Sequence, residues 1–255
     1  MSKPVVIVGI GEVGGVLARG ILKCGFPVYP VTRNMSLKDE VKKIPDPQAV
    51  ILAVSENDFQ SAMDDMPEQW KDRLVLLQNE LLPRDWTNEG VKDPTVLVVW
   101  FEKKPGQDFK VLLPSPVYGK HSELIMKSLE ALGISSQKLS SDKELLYELV
   151  RKNVYILTTN IAGLITGGVV RDLMERHHDF SRKVASDVMD IQDYLTQTKN
   201  DRTALLKGLD EAYESDPDHK CMGRSAPGRL ARQLHHARDA SLPVSVLQKI
   251  AVEKL

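Results

Sequence analysis

Two groups of residues in this sequence can do chemistry: a cluster of glycines near the start and a single lysine in the middle. The stretch Gly9-Ile10-Gly11-Glu12-Val13-Gly14 spaces three glycines as GxGxxG. One glycine permits a tight turn, the next lets the backbone approach a pyrophosphate, and the third lets a helix pack closely on a strand. Free N–H groups and the positive end of the helix dipole then meet the phosphates. Glu12 is awkward in such a loop, because its carboxylate repels phosphates unless it points to solvent. The second group lies in LLYELVRKNVYILTTNIAGLITGG, residues 145–168. On a helix Leu145, Leu149, Lys152, Ile156 and Asn160 fall within about 80° of one another. Leu146, Val150, Val154, Leu157, Ile161 and Leu164 carry the apolar sector round to its far side. Lys152 therefore sits at the margin of a buried face. There it either snorkels to water or, held in a cleft, is an acid whose pKa is lowered.

The surrounding elements decide how such groups are positioned. Residues 5–8 (VVIV) form a β-branched run bounded by glycine, as in a strand buried on both faces of a parallel sheet. Val16, Leu17, Ile21 and Leu22 give the following helix its period, Gly25 ends it, and residues 27–31 (PVYPV) read as the next strand. A strand before the glycines and a helix and strand after them make a βαβ unit of the dinucleotide-binding kind. After its second strand the chain reads Val31-Thr32-Arg33-Asn34, without the acid that holds the ribose hydroxyls of NAD. Arg33 is placed to pair with a 2′-phosphate, so the expected cofactor is NADP.

Residues 35–48 are a short charged connection with no room for an extra strand and helix, so the nucleotide domain is expected to be trimmed. Residues 49–54 (AVILAV) are another buried strand, and Val54 and Ser55 lie at its carboxyl end, where ligands collect in open α/β sheets. A helix begins at Phe59, Trp70 is expected in the core, and residues 74–77 (LVLL) lead to Asn79 at the same sheet edge. Residues 95–101 and 109–113 read as strands around a turn at Lys103-Lys104-Pro105-Gly106. Beyond Pro114 and Pro116 the pattern is helical, starting with an amphipathic helix over 122–132. The expected class is α/β: a Rossmann-type parallel-sheet domain over 1–117, then an all-α domain over 118–255.

Composition removes other functions. Net charge is −1 over 255 residues, which leaves no basic footprint for nucleic acid. Cys24 and Cys221 are too few and too far apart for a disulfide framework or a cysteine-built metal site. His177-His178 and His235-His236 are adjacent and point to different sides of a helix, and His121 and His219 have no convincing acid at ligand spacing, so no metal is expected. Asp187, Asp190 and Asp193 read as a solvated helix face. No apolar run reaches the roughly 18 residues of a membrane span, and the opening Met-Ser-Lys-Pro has no secretory pattern. A soluble cytoplasmic protein is the expectation.

These residues together resemble the ketopantoate reductase family, within the wider group that includes 6-phosphogluconate dehydrogenase. GIGEVGG is similar to the family's nucleotide loop, Arg33 to its NADP-selecting position, and Asn79 in LLQNELL to the asparagine after its fifth nucleotide-domain strand. RKNVYILTTNIAGL resembles its lysine helix, and HHARDASLPVSVLQKIAVEKL its closing helices. The chain departs at three substrate positions: Asn57 stands where the family has a lysine, Ile156 replaces an asparagine, and residues 223–227 (GRSAP) carry no acid.

The resemblance implies hydride transfer from NADPH to the carbonyl of a small 2-keto acid-like substrate, with Lys152 as general acid. Asn79 would orient the lysine or the nicotinamide carboxamide, and Asn160 would lie close to the substrate. Arg224 and Ser225 would bind a substrate carboxylate, since a guanidinium pairs with it in bidentate fashion. Imine reduction with the same cofactor, and a module that holds NADP without catalysis, are the alternatives. The resemblance and the long helical half allow a homodimer, though no stretch specifies a symmetric interface.

Overall fold

The computed structural model describes residues 2–255. The chain forms two compact units, the first ending at Glu148 and the second running Leu149–Leu255.

In the first unit the chain runs β1 (Val5–Val8), α1 (Glu12–Lys23), β2 (Val28–Val31), α2 (Leu37–Lys43) and β3 (Ala49–Leu52). It continues through α3 (Phe59–Asp64), α4 (Glu68–Lys71), β4 (Leu74–Leu76), α5 (Pro83–Thr87) and β5 (Thr95–Leu97). Then come β6 (Phe101–Glu102), β7 (Lys110–Val111), β8 (Ser115–Tyr118), α6 (Ser122–Glu130) and β9 (Ser136–Lys138). Seven strands make one sheet in the order β2-β1-β3-β4-β5-β8-β9. The first five are parallel, β8 is antiparallel to β5, and β9 is parallel to β8. Val5, Val6, Ile7 and all of β3 have no exposed surface, as continuous β-branched and aliphatic runs require in a sheet covered on both faces. Each valine, isoleucine and leucine among them contributes about 1.5–3 kcal/mol on burial. Trp70 is likewise fully buried, its indole N–H donating to the Ile44 carbonyl at 2.9 Å.

The expected boundary near 117 is displaced by about one supersecondary unit. β8 and β9 extend the main sheet, and α6 packs on α1 so closely that a Cβ on Gly20 would lie 2.2 Å from the Ser128 carbonyl oxygen. The segment 118–148 thus belongs to the sheet unit, and the all-helical region begins later than the sequence suggests. The expected strand over 95–101 is also interrupted. Only β5 stays in the main sheet, while β6 pairs antiparallel with β7 in a separate hairpin around the anticipated turn. The connection over 35–48 holds the short helix α2 and no strand, so the trimming stands.

The long helix α7 (Asp142–Thr166) carries the chain into the second unit. There α8 (Val170–Glu175), α9 (His178–Thr196), α10 (Arg202–Ser215), α11 (Ala226–Asp239) and α12 (Ser245–Lys254) follow. The single β-bridge of this unit joins Val169 and Lys220. A Cβ on Gly163 would meet Cys221 Cβ at 2.8 Å, so this glycine sets how near the 221 segment comes to α7. No helix among the described residues is long and apolar enough to cross a membrane.

Candidate functional site

In the sheet unit, register alone gathers the residues expected around a dinucleotide. Val8 is level with Val31 on one side and with Leu52 on the other, and Leu52 is level with Leu76. The loops after β1, β2, β3 and β4 therefore leave one edge side by side. Strand order reverses at β1, which makes the carboxyl edge between β1 and β3 the switch point where ligands bind in such sheets. The Gly9 N–H donates to the Val31 carbonyl at 2.9 Å, and the Ala53 N–H to the Val8 carbonyl at 2.8 Å, which hold the three loops together.

Gly9 and Gly14 take the turn and packing roles that their spacing suggests. Gly9 has φ +92°, and a Cβ there would approach the Ala53 carbonyl oxygen to 2.8 Å. Gly14 is buried, and a Cβ on it would lie 2.0 Å from the Gly9 carbonyl oxygen, so only glycine lets α1 sit this close to its own loop. Gly11 is different, because nothing lies within 4 Å of the place its Cβ would take. That open surface, in front of a helix whose first residue has no side-chain cap, fits the approach of a pyrophosphate to bare backbone. Ile10 is exposed and Val13 half-buried on either side of it.

Glu12 does not simply face water. Its carboxylate pairs with Lys103 Nζ at 2.8 Å, and the lysine also donates to the Lys104 carbonyl at 2.9 Å. Sequence reasoning missed Lys103, because the partners are 91 residues apart and only the hairpin brings them together. Arg33 stands in the turn after β2 with its side chain 91% exposed and its nearest carboxylate, Asp58, at 3.9 Å. So exposed a pair costs little to break. Ser55 is exposed, and its hydroxyl donates to Asp58 at 2.9 Å. Val54 and Asn79 are half-buried. The neighbouring Gln78, also unanticipated, is buried and donates its amide to the carbonyls of Leu52 and Val54 at 2.6 and 3.3 Å. It thereby fixes the β3 and β4 loop starts against each other.

In the helical unit, Lys152 is buried, with 7% of its surface exposed. The sequence places it at the margin of an apolar face, but α7 is enclosed on more sides than its apolar period implies: Asn153, Thr158 and Thr159 are buried as well. Asn153 donates to Gln192 Oε1 of α9 at 3.0 Å, and Thr159 donates to the Tyr155 carbonyl of its own helix. Arg151 faces α10, where its guanidinium holds Glu211 at 2.9 Å. Asn160 donates to the Ile156 carbonyl at 2.9 Å and accepts the Gly223 N–H at 3.4 Å. Asn160 thus ties α7 to the residue before Arg224, so two of the expected substrate positions share one patch. Arg224 and Ser225 are exposed at the start of α11, with Ser225 as an N-cap whose side chain makes no capping bond.

Two bland expectations need correction. Asp187, Asp190 and Asp193 are not a free solvated face. Asp187 caps α12 by accepting the N–H groups of Val246 and Leu247 at 2.9 and 3.1 Å, and burial raises its carboxyl pKa. Arg202 holds both Asp190 and Asp193 at 2.7 Å. His219 does have an acid near it, since Asp216 Oδ2 lies 3.5 Å from its Nδ1, three residues back in the turn.

No protein-family model matches the chain, and no curated protein does. Solved structures do. The PanE/ApbA family ketopantoate reductase of Ralstonia eutropha JMP134 is similar with a TM-score of 0.66 at 16% identity, over 98% of this chain and 96% of that one. The 2-dehydropantoate 2-reductase of Methylococcus capsulatus gives 0.69 at 12%, over 98% and 95%. A D-mandelate dehydrogenase in a ternary structure with NADH and anilino(oxo)acetate gives 0.66 at 12%, over 97% and 96%. From end to end, then, this chain has the fold of the ketopantoate reductases: a Rossmann-type sheet unit followed by an all-helical unit.

Proposed function

We propose that the protein is an NADP-dependent oxidoreductase that reduces the carbonyl of a small 2-keto acid-like substrate, with Lys152 as general acid. The observation that carries the reading is Lys152 itself. A lysine only 7% exposed is an uncommon residue for a helix to enclose. The fold supports it, since the similar structures include ketopantoate reductases and a mandelate dehydrogenase with NADH. The residues at the β1–β3 edge fit a dinucleotide: Gly11 offers open backbone, and Gly9 and Gly14 the tight turn behind it.

In this reading Gly9 to Gly14 hold the pyrophosphate, Val54, Ser55 and Asn79 border the nicotinamide half, and exposed Arg33 takes the 2′-phosphate that separates NADP from NAD. When bound, the reduced nicotinamide supplies the hydride. Adding it to a carbonyl carbon leaves negative charge on the oxygen, and an ammonium hydrogen-bonded there stabilises the transition state more than the ground state. Lys152 Nζ gives that oxygen its proton. Asn79 orients the reacting groups. Asn160, bonded to the Gly223 N–H, keeps the segment bearing Arg224 in register, and Arg224 with Ser225 receives the substrate carboxylate in charge-assisted hydrogen bonds.

The test is NADPH oxidation against a panel of 2-keto acids, ketopantoate included, and cyclic imines, with wild type and Lys152→Ala. The proposal expects turnover of a keto acid, loss of that turnover in the variant, and NADPH affinity within about threefold of wild type, because uniform cofactor contacts are untouched. Turnover confined to imines would move the substrate class. Tight NADPH binding with no turnover across the panel would leave a cofactor-binding module.

A further inference from the structure

Glu12 sets a physical problem for the loop it occupies. It is the first residue of α1, where a carboxylate favours the ligand-free helix by complementing the dipole. The same position is where a pyrophosphate must arrive, and like charges there oppose one another. The structure holds an answer on the β6–β7 hairpin. Lys103 Nζ lies 2.8 Å from Glu12 Oε2, and the lysine is 20% exposed. The contact is anchored rather than fortuitous, because the same hairpin is fastened to α1 two turns further along. Arg19 stacks over the Phe109 ring at 5.3 Å and approaches Asp108 at 3.5 Å. Phe101 and Phe109 meet edge to face with centroids 6.5 Å apart and join the core beneath. Glu12 and Arg19 are seven residues apart and so share a face of α1, which makes the hairpin a brace along that face with its turn at the mouth of the loop.

We propose that Lys103 is a positioning residue for the dinucleotide: by pairing with Glu12 it cancels the charge that would otherwise repel the pyrophosphate. This rests on the dinucleotide reading of the glycine loop and adds to it a residue from outside the βαβ unit. An ammonium has three donors, and Lys103 commits two, to Glu12 and to the Lys104 carbonyl.

The experiment is a fluorescence titration of NADPH into wild type, K103A, K103Q, E12Q and the double variant E12Q/K103A, with circular dichroism and thermal unfolding on each. An unscreened carboxylate beside a phosphate is expected to weaken NADPH about tenfold in K103A, and similarly in K103Q, which keeps most of the stem. E12Q should bind at least as tightly as wild type. The decisive sample is the double variant, expected within about threefold of wild type, because the repelling charge has gone with its neutraliser. A hairpin that matters only as a structural brace would give the opposite result, since removing both partners could not restore it. Wild-type affinity in K103A, or a double variant as weak as K103A, overturns the role of Lys103 while leaving the loop reading intact. A wild-type protein that binds neither NADPH nor NADH removes the loop reading, and this inference with it.

Discussion

Replacing Gly11 and Gly14 separately by alanine should split fold from binding, because the two glycines are required for different reasons. At Gly14 the new Cβ would stand 2.0 Å from the Gly9 carbonyl oxygen, where real contacts essentially never fall under 3.0 Å. The loop or helix must give way by about 1 Å, an overpacking cost of about 1–3 kcal/mol. For a chain of this size that lowers Tm by about 2–12 °C. At Gly11 φ is −83° and no atom lies within 4 Å of the added Cβ. Losing a glycine N-cap costs at most about 1 kcal/mol, offset in part by about 0.4–1 kcal/mol from the stiffer unfolded chain. Tm should then stay within about 3 °C of wild type. The Gly11 methyl would instead fill the surface through which a pyrophosphate reaches the backbone, and a tenfold loss of affinity corresponds to about 1.4 kcal/mol. Thermal unfolding with and without NADPH reads both effects. At a concentration of 100 Kd the wild type gains about 2.7 kcal/mol from the ligand, whereas a variant binding tenfold more weakly gains about 1.4. A Gly11→Ala protein that keeps the full NADPH shift would refute the pyrophosphate role, and a Gly14→Ala protein that melts with the wild type would refute the packing argument.

Arg33→Gln should weaken NADPH by about tenfold or more and leave NADH unchanged, the loss of one charge-assisted phosphate contact; equal effects on both cofactors would remove Arg33 from 2′-phosphate recognition. Because its side chain is 91% exposed, Tm should shift by no more than about 2 °C. His121 is buried, and burial first, then repulsion from Lys120 and Arg73, lowers its pKa from 6.5. Between the lowered value and 6.5 the unfolded chain binds more protons than the folded one, so stability falls as pH drops through that window. Urea unfolding at stepped pH should show a shallower acid-side decline in His121→Asn than in wild type, and identical slopes would contradict the argument. Asp201 caps α10 by accepting the Ala204 N–H at 3.1 Å, so Asp201→Ala should cost about 1 kcal/mol in denaturant unfolding.

How much of this was legible beforehand depended on how locally each feature is written. The βαβ unit could be read because its signals lie within thirty residues: a buried aliphatic run, glycines at fixed offsets, then a 3.6-residue period. That Arg33, Val54, Ser55 and Asn79 follow strands ending at the same edge as β1 could be expected from a rule about parallel sheets, that successive strands end at one edge. The boundary at 117 failed because β8 and β9 do not look like strands. Pro116 cannot donate to a ladder and argues against a strand, yet its carbonyl accepts the Val98 N–H at 2.9 Å. β9 is Ser136-Gln137-Lys138, short, polar and at the sheet edge, which protects an edge from pairing with strangers and also hides it from a hydrophobicity pattern.

The same distinction separates the two charged residues that matter most to the proposals. The helical wheel found Lys152 but left its burial open, because an apolar period says nothing of the polar residues Asn153, Thr158 and Thr159, and in the folded chain all three are buried. Asn153 shows why a polar residue can be there, since its amide is matched by Gln192 from another helix. Lys103 carried no local signal at all. The turn Lys103-Lys104-Pro105-Gly106 looks like any solvated hairpin tip, and its meaning arises only where the fold sets it against Glu12. An acid is out of place in a GxGxxG turn, and no described residue near it in sequence neutralises it; the ammonium that pairs with it comes from 91 residues away.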